Sequence, residues 1–276
     1  MHHVWGKEVS RVGFFGVGQM GAPMVSRLLD CGQHDVVLYA RRPEVCEPYV
    51  TRGARMAGSL KELARASDVL IVCLFSDLQL RETAFGDDGF LAHLPEGAIF
   101  VSHTTGSPAL ISDIAQAAPH VRVIDGPISG DPEDILRGRL TVLLGGEPGP
   151  VDTARDVVGA YADPIIATGA LGSAMLVKLL NNLLFAANSQ LLADAAAAGT
   201  KLGLDEGSLL AALSACSGSS AALQRVRQVG GLAPFEGRVT PYLRKDVATA
   251  TALAEEMGVS IDFVRGVAEK GPLSVT

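Results

Sequence analysis

A lysine and an asparagine stand one helical turn apart in an otherwise apolar stretch, A-M-L-V-K-L-L-N-N. Lys178 and Asn182 are four residues apart, so on a helix their side chains share one face. A lysine that points into a cleft, desolvated and near a second cation such as Lys245, would have its pKa lowered toward the working pH. Such a lysine can shuttle a proton, and Asn182 would hydrogen-bond the reacting oxygen or a carboxylate. The alternative is a lysine that simply extends from an amphipathic helix into solvent.

A glycine-rich turn lies between a predicted strand and a predicted helix, and its residues are Gly16, Val17, Gly18, Gln19, Met20 and Gly21. The spacing G-x-G-x-x-G is a weak signal alone, but this strand-turn-helix context is typical of dinucleotide binding. The first glycine allows a tight turn, the second lets the backbone approach a pyrophosphate, and the third lets helix and strand pack closely. The phosphates would lie at the helix N-terminus. The alternative is a turn that holds three glycines by chance.

The end of the second predicted strand bears on which dinucleotide is bound. An acidic side chain there would bind the ribose 2′-hydroxyl of NAD, but this strand ends in Ala40 and is followed by Arg41 and Arg42. Two guanidinium groups suit a 2′-phosphate. We therefore predict NADP(H) as the preferred cofactor, with NAD(H) as the other option. The alternative for these residues is that one arginine stacks on adenine or faces solvent.

The elements that position these residues alternate between short apolar runs and amphipathic stretches, which is typical of a parallel sheet with crossover helices. The predicted strands are residues 11–15, 36–40, 54–56, 69–75, 98–102, 121–124, 140–144 and 164–167. The predicted helices between them are residues 22–31, 60–66, 108–117 and 150–161.

The pattern becomes helical throughout after about residue 170, beginning with one uninterrupted helix over residues 174–202. We therefore predict an α/β protein with two domains. Residues 1–168 would form a Rossmann-type, doubly wound parallel sheet that binds the dinucleotide. Residues 169–276 would form an all-helical domain for substrate binding and dimerisation. The alanine-rich stretch 193–198 permits close helix packing, so a homodimer or a higher homo-oligomer is expected.

The composition excludes several classes of protein. The chain has 276 residues, with 23 Lys and Arg against 30 Asp and Glu, which disfavours a nucleic-acid or acidic-lipid partner. The apolar runs are too short or too interrupted to span a membrane. The N-terminus shows no secretory signal, so a cytoplasmic location is the default expectation. The cysteines form no C-x-x-C pair, and His2, His3, His34, His93 and His120 show no metal-ligand spacing, so no metal is predicted.

Four motifs in order resemble the β-hydroxyacid dehydrogenases, a family within the 6-phosphogluconate dehydrogenase superfamily that includes 3-hydroxyisobutyrate dehydrogenase and semialdehyde reductases. Residues 16–24 are similar to the family's G-x-G-x-M-G-x-x-M opening, and residues 125–130, D-G-P-I-S-G, to its substrate loop D-A-P-V-S-G-G. Residues 169–182 are similar to its catalytic stretch, and Lys245 and Asp246 match its late K-D pair. The resemblance runs from residue 12 to about residue 258.

The resemblance implies roles for individual residues. Lys178 would be the general acid/base. The hydroxyl of Ser129 and the amides around Ser129 and Gly130 would hold a substrate carboxylate without a full charge. Lys245 would close over the site and contact cofactor and substrate, and Asp246 would orient it. Without the motifs, the better interpretation of Lys245 and Asp246 would be a solvated charge pair. The remaining residues assigned to the cofactor are Leu74, Phe75 and Thr105, the last beside the nicotinamide.

Departures from the family pattern bear on the substrate. Asp131 replaces the second glycine after Ser129 and could repel a substrate carboxylate. Residues 102–104 read S-H-T where the family often has Asp, an apolar residue and Ser, and residues 75–76 read F-S in place of a usual L-P. The family's last helical segment is shortened, which suggests a more open pocket. His103 is the one histidine near the expected site, and we interpret it as structural or substrate-shaping and not catalytic.

These observations predict an NAD(P)-dependent oxidoreductase that transfers a hydride between NADP(H) and a small β-hydroxy acid or its semialdehyde or ketone. An imine reductase is one alternative, but imine reductases usually lack lysine at position 178, so Lys178 favours carbonyl chemistry. A catalytically silent dinucleotide-binding protein is the other alternative. The expected partner is a small-molecule substrate.

Overall fold

A computed structural model describes residues 10–274 of the chain. The expectations about a leader and about His2 and His3 lie outside this range. The described residues form two compact units, the first ending at Lys178 and the second beginning at Leu179. The boundary predicted from composition, between residues 168 and 169, lies ten residues earlier, and the division falls inside one continuous helix.

A sheet of nine strands, counted over residues 10–274, forms the centre of the first unit. Its strands are β1 (Arg11–Phe15), β2 (Asp35–Tyr39), β3 (Arg55–Met56), β4 (Val69–Val72), β5 (Ile99–Ser102), β6 (Arg122–Asp125), β7 (Ile128–Ser129), β8 (Leu140–Gly145) and β9 (Ala162–Gly169). The order β3-β2-β1-β4-β5-β6 is parallel throughout, as in the dinucleotide-binding fold. Strand β8 then pairs antiparallel with β6 and β7 and parallel with β9. The predicted α/β class is confirmed.

The central strands are buried on both faces, which explains their continuous apolar runs. In β4, Val69 and Ile71 pack into the core on one face of the sheet, while Leu70 and Val72 pack into the core on the other. The strand predicted over residues 69–75 is too long, because β4 ends at Val72 and the chain then turns out of the sheet. The carboxyl ends of the parallel strands therefore lie at one edge.

The helices of the first unit are α1 (Gly21–Cys31), α2 (Glu47–Val50), α3 (Leu60–Arg65), α4 (Asp77–Ala84), α5 (Pro108–Ala117), α6 (Pro132–Leu136) and α7 (Pro148–Val158). Short 3₁₀ turns span Pro43–Val45 and Leu91–His93. Helices α2, α4 and α6 were not predicted from the sequence, and two of them, α2 with four residues and α6 with five, are too short to display a helical period. Two of them begin at side-chain caps, Ser76 for α4 and Asp131 for α6.

The long helix α8 (Ser173–Lys201) confirms the helix predicted over residues 174–202 and runs from the first unit into the second. At 1.5 Å per residue it is roughly 43 Å long. The second unit adds α9 (Glu206–Ala215), α10 (Ala221–Gln228), α11 (Leu232–Glu256) and α12 (Asp262–Lys270). Its core contains Leu183, Ala187, Leu223, Phe235 and Val247. Across residues 10–274, every helix is too short or too polar to cross a lipid bilayer.

Candidate active site

The three glycines after β1 differ in what surrounds them. Gly16 has φ 103°, and a Cβ built on it would lie 2.1 Å from the carbonyl oxygen of Cys73. A Cβ on Gly21 would lie 2.1 Å from the carbonyl oxygen of Gly16. A Cβ on Gly18, in contrast, would have no atom within 4 Å. Gly16 and Gly21 therefore pack against protein backbone, where a side chain would not fit. Gly18 borders open space.

Helix α1 starts beside this open space without a capping group of its own. Met20 at the N-cap makes no side-chain hydrogen bond to the first turn, and that turn contains no acidic residue. The helix dipole favours an anion there. Together with the space at Gly18, this arrangement fits the pyrophosphate of a dinucleotide.

The end of β2 carries no acidic side chain. Tyr39 is its last residue, Ala40 is half-buried, and Arg41 and Arg42 are exposed in the following turn. Because β2 is parallel to β1, these arginines leave the same edge of the sheet as the glycine turn. The end of β2 is therefore followed directly by two cationic side chains, and the next carboxylate along the chain is Glu44, beyond Pro43.

The loops after β4 and β5 are joined by side-chain hydrogen bonds. The backbone amide of Leu74 donates to Thr104 Oγ1 over 3.0 Å, and the amide of Ser107 donates to Asp77 Oδ2 over 2.6 Å. These bonds fix the loop that carries Thr105 beside the loop that carries Phe75, which is half exposed. The sequence analysis missed Thr104 and Asp77, because neither belongs to a recognisable motif.

Asp125, at the end of β6, holds the start of the helix that carries Lys178. It is fully buried, and its carboxylate accepts hydrogen bonds from the amides of Gly172 (2.7 Å) and Met175 (2.8 Å). Burial raises the pKa of this carboxyl group, and the amide hydrogen bonds oppose that rise. The sequence analysis quoted Asp125 in a motif but assigned it no role. The structure shows that it caps α8 one turn before Lys178.

The loop after Asp125 contains the residues predicted to bind a carboxylate. Ser129 is half-buried in β7, opposite Thr141 of β8, and Gly130 is exposed with φ 145°. Asp131 Oδ1 accepts a hydrogen bond from the Asp134 amide over 2.9 Å, and Asp134 Oδ2 accepts one from the Asp131 amide over 3.0 Å. The Asp131 carboxylate therefore caps α6.

His103 is buried between β5 and the loop after β6. Its Nδ1 hydrogen-bonds the Gly126 carbonyl oxygen, and its Nε2 lies 2.7 Å from the hydroxyl of Tyr161, which is also fully buried. The two rings pack edge to face, with centroids 5.8 Å apart. Burial lowers the pKa of His103 to about 4 and raises that of Tyr161 well above its usual value. Both side chains are therefore neutral at physiological pH.

Lys178 is 8% exposed, although Val177 directly before it and Leu180 two residues after it are exposed. A lysine that extended into solvent would expose its ammonium group, so burial to this degree argues against that alternative. Asn182, four residues further along α8, is equally buried. The predicted pair thus shares a face of α8 and is withdrawn from solvent.

The second unit brings Asn182 together with the K-D pair. Asn182 Nδ2 donates to Asp246 Oδ2 over 2.5 Å, and Lys245 Nζ lies 3.0 Å from Asp246 Oδ1. Asp246 is 4% exposed, which is unusual for a carboxylate and explains its two partners. Asn181 donates to Asn182 Oδ1 over 3.0 Å. Among residues 10–274, no group of three His, Cys, Asp or Glu side chains is arranged to hold a metal ion.

Comparisons with known proteins agree with this geometry. The family model "NAD binding domain of 6-phosphogluconate dehydrogenase" matches residues 11–177, and the model "NAD-binding of NADP-dependent 3-hydroxyisobutyrate dehydrogenase" matches residues 172–270. The chain is 27% identical over 253 residues to mitochondrial 3-hydroxyisobutyrate dehydrogenase of Rattus norvegicus, covering 91% of this chain and 75% of that protein.

Solved structures agree with the family models. The 3-hydroxyisobutyrate dehydrogenase of Mycobacterium tuberculosis, solved with L-serine, has a TM-score of 0.82 at 25% identity and covers 95% of this chain and 92% of that one. A reductive aminase from Aspergillus terreus shares the fold, with a TM-score of 0.60 at 22% identity over 95% of this chain and 93% of that one.

The parallel sheet, the glycine turn and the matching family models define an NAD(P)-dependent oxidoreductase. The chain belongs to the β-hydroxyacid dehydrogenase family, and it is a dehydrogenase that acts on CH–OH donors. The resemblance noted in the sequence is thereby confirmed.

Proposed function

We propose that this enzyme interconverts a small β-hydroxy acid and its semialdehyde or ketone, with Lys178 as the general acid/base. The observation that carries the proposal is the burial of Lys178 on α8, one turn after the amide that Asp125 caps. Bound nicotinamide dinucleotide supplies the hydride in reduction and accepts it in oxidation. During oxidation, neutral Lys178 Nζ takes the proton from the substrate hydroxyl. During reduction, the charged ammonium returns that proton to the nascent alkoxide oxygen.

Substrate binding is assigned to residues on both sides of Lys178 in sequence. The Ser129 hydroxyl and the Gly130 amide would hold the carboxylate, and Asp131 Oδ1 is directed to the Asp134 amide at the α6 cap. Asn182 uses one amide hydrogen on Asp246, and its second would serve the substrate. Lys245, paired with Asp246, would add a positive charge.

A substrate panel tests this proposal. Purified protein with NADPH is mixed separately with semialdehydes, glyoxylate and cyclic imines, and absorbance of the reduced cofactor is followed. Turnover of a semialdehyde or glyoxylate is the expected result. Turnover of imines alone would replace the proposal with imine reduction, and NADPH binding without any turnover would leave only a dinucleotide-binding protein.

We propose NADP(H) as the preferred cofactor, because exposed Arg41 and Arg42 follow β2 directly and come before the first acidic residue, Glu44. One matched family model also describes an NADP-dependent enzyme. Changing both arginines to alanine should lower kcat/KM with NADPH by about 10- to 100-fold and leave NADH nearly unchanged. Arg238→Ala, an exposed arginine of the second unit, is the control. A wild-type enzyme equally efficient with NADH would contradict the preference.

We propose a homodimer formed through α8. Leu180, Leu184 and Leu191 lie along one face of this helix, and each is more than half exposed. A contiguous apolar stripe of this kind is typical of a surface that a second subunit covers. Light scattering should give twice the chain mass, and Leu184→Glu should give a monomer. Leu78→Glu, at an equally exposed leucine of the first unit, should not. A monomeric wild type would refute this assembly.

A further inference from the structure

Positions 103 and 126 depart together from the family motifs. The family pattern has an apolar residue at position 103 and alanine at position 126, whereas this chain has histidine and glycine. A Cβ built on Gly126 would lie 3.2 Å from His103 Nδ1 and 2.9 Å from Val101 Cγ1. A methyl group at position 126 would therefore crowd Val101 first and the imidazole of His103 second.

The partners of His103 define which nitrogen carries the proton. Gly126 contributes a carbonyl oxygen, which can only accept, so Nδ1 must carry the hydrogen and donate it. In a neutral imidazole Nε2 is then an acceptor, and the Tyr161 hydroxyl must donate to it. Tyr161 lies between α7 and β9 in the chain. The Gly126 carbonyl group thus fixes the tautomer, and the Tyr161 hydroxyl holds the other side of the ring by donating to Nε2.

The loop that His103 contacts is held at both ends. Asp125, directly before Gly126, caps α8 through the amides of Gly172 and Met175. Ser129, three residues after Gly126, pairs with Thr141 in β8. Between these points the Gly126 amide donates to the Ser102 carbonyl oxygen over 2.8 Å, the Leu143 amide donates to the Pro127 carbonyl oxygen over 3.0 Å, and Ile128 pairs with Val142. The Gly126 carbonyl group is the part of this backbone that a side chain can still restrain. The His103 hydrogen bond supplies that restraint at Gly126.

We propose that His103, oriented by Tyr161, is a positioning residue that fixes the Gly126 carbonyl group and so sets the direction in which Ser129 faces the substrate. This inference rests on the proposed role of Ser129 in binding a carboxylate. His103 does not touch substrate or cofactor in this role. It acts through the backbone of the loop, and the Tyr161 hydroxyl acts through His103.

The first experiment measures the tautomer and needs no substrate. Long-range proton–nitrogen NMR of the ¹⁵N-histidine protein should show a protonated Nδ1 and an unprotonated Nε2 for His103, assigned by loss of the signal in His103→Asn. Hydrogen exchange of the amides of residues 128–130 should be about 10-fold faster in Tyr161→Phe than in the wild type. A protonated Nε2, or unchanged exchange, overturns the proposal whatever the enzyme's substrate proves to be.

The second experiment separates positioning from stability in the working enzyme. Tyr161→Phe and His103→Leu should raise KM for the acid substrate by about 5- to 10-fold, with a smaller change in kcat and NADPH affinity unchanged. His103→Asn keeps an N–H donor near Nδ1 and should restore much of the wild-type KM. A fall in kcat at constant KM contradicts the proposal.

A double-mutant cycle at positions 103 and 126 gives an independent check. Gly126→Ala alone should raise KM and weaken the fold, because the new methyl group would lie 2.9 Å from Val101 Cγ1 and 3.2 Å from His103 Nδ1. Combined with His103→Leu, which restores the family-like pair, it should be less harmful than the sum of the single changes. Strict additivity in both KM and thermal stability would overturn the coupling.

If no substrate in the panel is turned over, the proposed function fails, while the tautomer, the exchange rates and the stability cycle still decide this inference.

Discussion

The turn after β1 and the loop after β6 leave the same edge of one sheet, yet they are constructed in opposite ways. The β1 turn consists of backbone, and its second glycine faces open space. The β6 loop is filled by side chains, since Asp125 and His103 are both fully or almost fully buried and bonded to backbone groups. The difference suggests that the first turn is shaped to receive a ligand, whereas the second is shaped to hold protein groups still around one.

The largest expected effect concerns Lys178. This residue lies one turn after the start of α8, which Asp125 at the end of β6 holds in place. Lys178→Met keeps the buried stem but removes the proton carrier, so kcat should fall about 10²- to 10⁴-fold. NADPH affinity, measured by fluorescence titration, should stay within about twofold, because the β1 turn is unchanged. Lys201→Ala, at an exposed lysine on the same helix, should be nearly silent. A Lys178 variant as active as the wild type would remove the proposed mechanism.

The next test uses two glycines of the β1 turn as a matched pair. Gly21→Ala places a methyl group 2.1 Å from the Gly16 carbonyl oxygen and should lower the free energy of unfolding by about 3 kcal/mol. Gly18→Ala meets no atom within 4 Å and should change stability by less than about 0.5 kcal/mol. It should instead weaken NADPH binding about 10-fold. Urea unfolding and cofactor titration distinguish the two, and equal effects would contradict the assigned roles.

A third test addresses the β6 loop directly. Asp125→Ala leaves the amides of Gly172 and Met175 without their acceptor, so the free energy of unfolding should fall by about 2 kcal/mol. Asp125→Asn keeps one acceptor oxygen and should lose about half as much. Asp131→Ala, which uncaps only the short helix α6, serves as the comparison. No loss for Asp125→Ala would mean that the cap does not stabilise α8.

The smallest expected effect is a pH dependence of stability. The folded pKa of His103 is lowered to about 4 from the ordinary 6.5, so its contribution is present above pH 6.5 and is lost as the pH falls toward 4. Between pH 7 and pH 5.5 the loss should be about 1 kcal/mol in the free energy of unfolding. The raised pKa of Asp125 acts in the opposite direction, so the difference between wild type and His103→Asn isolates the histidine. Parallel pH profiles for the two proteins would contradict the lowered pKa.

Much of the fold was predictable because its signals are local. The alternation of apolar runs and helices identified β1, β5 and α5 within a residue, and the uninterrupted helical pattern identified α8. The short helices α2 and α6 were missed, because four or five residues cannot show a period. The strand before Phe75 was drawn too long, because apolar residues continue past the point where hydrogen bonding to the neighbouring strand stops.

The candidate site likewise contains residues that local sequence predicts and residues that only long-range contacts identify. The glycine turn, Arg41, Arg42 and Lys178 were predicted as site residues from residue type and spacing, since each lies next to a recognisable local element. The cap formed by Asp125 joins residues 47 and 50 positions apart, and the contact of His103 with Tyr161 joins residues 58 positions apart. Asp131 caps α6 through a local contact, but this role was not predicted because α6 itself was not predicted.

The sequence by itself determined the parallel sheet, the glycine turn, the long helix and the family, because backbone freedom and side-chain period are properties of neighbouring residues. Only the tertiary structure decided that Lys178 is buried, that Asp125 holds its helix and that His103 fits against Gly126. These facts depend on which distant residues share a small buried volume. There a polar group must find a partner, and a methyl group at position 126 would crowd Val101 and the imidazole of His103.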